Sequence, residues 1–174
     1  MSEISFEIVE AAWQDTARLS DARGRSEMER LGREQPDLLA YVLGATEDLS
    51  PPVHALGAYI FMVIWQAFRR STDRRLPRIK AAAIEAALEK NEDGFAKLEH
   101  ADAKFLERAA AIRASLQPHV FRYMVETIVE APDDTEDPVA LTAHESGTLF
   151  LVLTTAIDVF HEARERAQRR LTTS

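Results

Sequence analysis

The sequence predicts an all-α fold, a helical bundle of about six to eight helices in a single domain over residues 1–174. Three observations lead there. Gly and Pro are sparse, 6 and 7 in 174 residues, while 46% of residues are apolar. That composition favours long regular elements over a many-turned β fold. Apolar residues recur at three- and four-residue spacing along almost the whole chain, the period of a helix with one buried face. Finally, two stretches read as the same Pro-opened helical hairpin, "QPDLLAYVL" running into "HALGAYIFMVI" and "QPHVFRYMV" running into "HESGTLFLVLT".

Phe6, Val9, Trp13 and Ala17 form the apolar face of a first helix, which "ARGRS" weakens near Gly24. Ser26 and Glu29 have the spacing of a capping box, so a short second helix is expected to start there. Pro36 suits the first turn of the next helix, with Leu38, Leu39, Val42, Leu43 and Leu49 as its stripe. Ser50 as N-cap and Pro51 as first-turn residue open a helix over Pro51–Arg70. An alanine-rich helix is expected from near Pro77 to Lys90, with a break or kink at Gly94. Phe95, Leu98, Phe105, Ala109 and Ile112 share the face of the following helix. Pro118 opens another, with Phe121, Met124, Val125 and Ile128 inward. The acidic "APDDTEDP" reads as a solvated loop, and a last helix runs from Pro138, or from a second capping box at Thr142 and Glu145, to about Arg170. "FLVLTTAI" is β-like by propensity, but its match to the first apolar helix favours a helix.

Pro51 to Phe68 contains no formally charged side chain. A bilayer-spanning helix needs about 20 mostly apolar residues, and here the strictly apolar run, Ala55 to Trp65, is shorter. The expectation is therefore a core helix and no membrane. The two hairpins, residues 35–70 and 117–160, read as an internal duplication that pairs His54 with His144 and Gly57 with Gly147. Their apolar helices, Pro51–Arg70 and Pro138–Arg170, should bury each other at the centre.

The chain has no cysteine, which excludes disulfides and thiolate chemistry and fits a cytoplasmic location. A net charge of −8 opposes polyphosphate, so nucleic acid is disfavoured. No phosphate-cradling glycine loop and no nucleophile elbow is present. "HESGT" and "HEARE" lack the second histidine of a zinc protease, and Asp158 with His161 makes only one half of a bundle di-metal site. No metal and no cofactor is expected. Two candidate sites remain. His54 and His144, with Tyr41 and Tyr123 at matching places in the partner helices, would make a polar ligand pocket, or else the tyrosines satisfy the histidines in a core. Arg69, Arg70, Arg74, Arg75 and Arg78 form a basic segment able to bind an anion or an acidic partner, or to complement a helix C-terminus and otherwise lie in solvent.

The functional expectation is a non-enzymatic helical protein acting through protein contacts, in an adaptor or regulatory role, and self-associating as a homodimer. Phe6, Trp13, Phe95 and Phe105 on outer helices exceed what one core readily buries. The alternative is a small-ligand or metal-binding protein, conceivably an enzyme, built on the histidine pair.

Overall fold

The computed structural model describes residues 2–96 and 116–172. Among them are seven α-helices, one 3-10 turn and no strand. We number the helices α1 (Phe6–Ala17), α2 (Asp21–Glu34), α3 (Pro36–Thr46), α4 (Pro51–Arg70), α5 (Ala81–Ala96), α6 (Pro118–Glu130) and α7 (Ala143–Thr172). The expected helix face of Leu98, Phe105, Ala109 and Ile112 lies outside the described residues.

Helix α4 carries the charge-free run Pro51 to Phe68, and it is a core helix. Every residue from Ile60 to Phe68 is buried. It packs against both α1 and α7. Contacts between α4 and α7 occur in ascending order along both helices. At the start, the Glu145 carboxylate of α7 accepts the Ser50 N–H and hydroxyl at 3.1 and 2.9 Å. Further on, Gly57 faces Leu149. Toward the end, Phe68 stacks on Phe160 at 5.3 Å. The two central helices are therefore parallel, with both N-termini at one end. α1 packs on α4, α5 on α7, and α3 and α6 flank the central pair.

Two buried glutamines join the flanking helices to extended segments distant in sequence. Gln35 precedes α3 and Gln117 precedes α6, each with nearly the same backbone conformation (φ −134°, ψ 62° and φ −143°, ψ 72°) and each followed by a first-turn proline. Gln35 donates to the Pro77 carbonyl at 3.0 Å and accepts the Ile79 N–H at 2.9 Å. Gln117 donates to the Ser2 carbonyl at 3.4 Å and accepts the Ile4 N–H at 2.8 Å. Each side-chain amide thus holds a carbonyl and the N–H two residues later. Each clamp also buries an isoleucine, Ile79 or Ile4.

Several boundaries differ from expectation. α2 starts at Asp21, because Ser20 caps it through the Arg23 N–H at 3.3 Å; Ser26 and Gly24 lie inside the helix. α5 begins later than Pro77, since Pro77–Ile79 is the clamped extended segment, and it runs through Gly94 to Ala96. α7 starts at Ala143, with Pro138 in the preceding loop. There the Thr142–Glu145 capping box forms in both directions at 3.1 Å.

The register of the two central helices also differs. Counted from their caps, Ser50 and Thr142, buried positions coincide from Val53 with Glu145, Gly57 with Leu149 and Ile60 with Val152 to Phe68 with Phe160, except that buried Gln66 falls opposite the half-buried Asp158. This register sets His54 opposite Ser146 rather than His144, and Gly57 opposite Leu149 rather than Gly147. A Cβ on Gly57 would lie 2.8 Å from Leu149 Cδ2, whereas no atom of the described residues lies within 4 Å of one on Gly147.

Candidate functional site

The expected histidine–tyrosine group is dispersed into separate contacts. His54 Nδ1 lies 2.9 Å from the Thr46 hydroxyl, which itself donates to the Val42 carbonyl at 2.8 Å. A donor already used in this way leaves His54 joined to its own hairpin. His144 is exposed. The buried hydroxyls of Tyr41 and Tyr123 lie near Thr155 and Thr127, and among the described residues neither is hydrogen-bonded to a histidine. Burial pushes both phenols up, Tyr123 further because it is the more deeply buried, so both stay neutral. Asp158 and His161 are likewise engaged elsewhere. Asp158 accepts from Asn91 at 3.0 Å, and His161 Nδ1 meets the Gln117 amide at 3.1 Å.

The basic segment forms a site with residues from another helix. Arg69, at the end of α4, and Thr72, Arg74 and Arg75 after it line a groove of about 510 Å³ together with Arg30, Arg33 and Glu34 of α2. Arg30 and Arg33 are not singled out by the sequence reading. Their three-residue spacing on one helix face was the available signal, but nothing local shows that α2 ends beside Arg74. Arg69 is positioned by two neighbours: its guanidinium lies 5.2 Å from the Trp65 ring centre, and Glu27 stands 3.8 Å away. The other two expected arginines point elsewhere. Arg70 pairs with Asp15 of α1 at 2.7 Å, and Arg78 donates to the Arg33 carbonyl at 3.0 Å.

Complementing helix ends does not account for this groove. α2 and α4 both terminate near it, and each C-terminus carries about half a negative charge. Five arginines less Glu34 and the Glu27 beside Arg69 leave +3, and two helix ends reduce that to about +2. The terminal carbonyls are moreover held by other groups. Arg78 takes the Arg33 carbonyl, and the Ser71 N–H and hydroxyl take those of Ala67 and Phe68. Of the groove arginines, Arg30 pairs with Glu34 at 3.0 Å and Arg69 stands 3.8 Å from Glu27.

A second cleft of about 550 Å³ adjoins the groove across Arg69, lined by Asp15, Arg18, Arg23, Glu27, Gln66 and Arg70 among others. In it Asp15 pairs with Arg70 at 2.7 Å and Glu27 accepts from Gln66 at 2.6 Å, so four arginines, Arg69 included, face two acids. The arginine groove is the stronger candidate because five arginines line it against a single carboxylate, Glu34. Guanidinium forks at several angles suit carboxylates and phosphates, which they bind in bidentate fashion. No protein-family model, no curated protein and no solved structure matches the chain, so the functional reading rests on this geometry.

Proposed function

We propose that this protein acts without catalysis, by contact with other proteins, and that the groove of Arg30, Arg33, Arg69, Arg74 and Arg75 receives an acidic segment of the partner. The supporting observation is a surplus of about two positive charges, after Glu27 and the helix ends are counted, in a chain of net charge −8. An acidic peptide fits better than single-stranded nucleic acid. The nearest large aromatic ring, Trp65, is fully buried beneath Arg69 and offers no face for a base to stack on. The test is binding of a labelled Asp/Glu-rich peptide, read by fluorescence anisotropy at low salt. Arg74→Glu with Arg75→Glu should remove binding while leaving the helical circular dichroism unchanged, since both residues are exposed. A peptide that the native protein ignores at low salt would sink the proposal.

We propose also that the chain arose as two copies of one unit, an extended segment and helix followed by a Gln-Pro hairpin. The matching registers of the Gln35 and Gln117 clamps support this.

A further inference from the structure

The loop between α6 and α7 has the charge opposite to that of the groove. Asp133, Asp134, Glu136 and Asp137 are all exposed. The loop also has a defined shape: Asp134 Oδ1 accepts the N–H groups of Glu136 at 2.8 Å and Asp137 at 2.9 Å. The Val139 N–H closes its base on the Ala131 carbonyl at 2.9 Å. Those N–H groups, Asp137 first, hold the Asp134 carboxyl below the usual carboxylate range, so it stays ionised in mildly acidic solution. A pre-shaped acidic loop loses little conformational freedom on docking.

The loop cannot reach the groove of its own chain. It leads into Thr142, at the end of the central pair where Glu145 meets Ser50. The groove lies at the other end, where α4 terminates at Arg70. A helix of 20 residues separates them by about 30 Å. We propose that the acidic loop of one copy, Asp133–Asp137, docks in the arginine groove of a second copy, and that two such contacts close an antiparallel dimer. With loop and groove at opposite ends of a parallel helix pair, side-by-side antiparallel molecules satisfy both contacts at once. A single contact would leave one groove and one loop unused and add copies head to tail. The second contact in the closed pair forms within one complex, so two weak contacts reinforce each other.

This inference rests on the reading of the groove as a site for acidic segments, and charge reversal separates the two. Sedimentation velocity at tens of micromolar should show a dimer at about 50 mM salt and at least tenfold weaker association at about 500 mM, as screening shortens the range of the charges. A groove-reversed variant, Arg74→Glu with Arg75→Glu, should be monomeric. So should a loop-reversed variant, Asp133→Lys with Glu136→Lys and Asp137→Lys, which sets three lysines against the loop-shaping Asp134 and leaves that residue intact. Mixing the two should restore a dimer containing one of each, because each loop then meets a groove of opposite charge. The loop-reversed protein should still bind the acidic peptide, since its groove is unaltered. A native protein that stays monomeric at low salt, or a dimer indifferent to both reversals, overturns the inference. If the loop-reversed protein still binds peptide in that case, the groove reading survives; if it does not, both readings fail.

Discussion

At the scale of single residues, identity and environment separate the two glycines that the sequence pairs. Gly57 is buried, and any side chain there meets Leu149, itself fully buried. Gly57→Leu should destabilise the protein by about 1–3 kcal/mol through overpacking. Gly147 lies in a helix with open space beside it, so Gly147→Ala should stabilise by up to about 1 kcal/mol, the ordinary helical preference for alanine over glycine. Denaturant titration of both variants checks the contrast, and equal effects would contradict the register described here. Glu145 permits a pH prediction. The Thr142 N–H, then the N–H and hydroxyl of Ser50, hold its carboxyl below the usual range. A carboxylate with a depressed folded-state pKa contributes stability that is present above its unfolded pKa and lost as pH falls through the folded one. Glu145→Gln should therefore lower stability at neutral pH and flatten its decline on acidification. An acid limb as steep as that of the native protein would show that Glu145 is not the group responsible.

At the scale of elements, most helices were legible and several of their ends were not. The Pro36, Pro51 and Pro118 starts were read directly, because proline at the first turn acts locally. Ser26 with Glu29 has the right spacing for a cap, but the chain uses Ser20, since Asp21–Arg25 continues a helix that Gly24 does not break. The clamps were not legible: Gln35 and Gln117 were read as hairpin openers, while their partners lie far off in sequence at Pro77–Ile79 and Ser2–Ile4. The groove was half legible, because Arg69, Arg74 and Arg75 are sequential whereas Arg30 and Arg33 arrive through packing of α2. The histidine pairing came from letter identity, which the burial register two positions away does not follow. The clamps are testable as elements. Gln117→Leu leaves the buried Ile4 N–H without its acceptor, a loss of about 1–3 kcal/mol. Amide exchange at Ile4 should accelerate in that variant while Ile79 stays protected. Gln35→Leu should do the reverse. Uniform acceleration at both sites in either variant would mean that the clamps act only through global stability.

At the scale of the whole molecule, the two halves of the chain hold each other. α4 from the first half and α7 from the second bury their apolar faces together. Each clamp crosses between halves as well, Gln35 gripping the segment before α5 and Gln117 the segment before α1. The covalent link between them is the short run from Ser71 to Leu76, whose middle residues Asp73, Arg74 and Arg75 are exposed. That link should matter less for structure than for concentration. A protease site inserted between Thr72 and Asp73 of the full chain, once cut, should leave the two fragments together in native size exclusion. The cut turns an intramolecular association, with an effective concentration of about millimolar, into a bimolecular one. The nicked protein should therefore unfold at a lower temperature than the intact one, and its Tm should rise with protein concentration, where that of the intact fold should not. The comparison belongs at high salt, where charge-mediated association of whole molecules is screened. Fragments that separate on the column, or a nicked protein whose Tm ignores concentration, would show that the central helix pair and the two clamps do not join the halves as described.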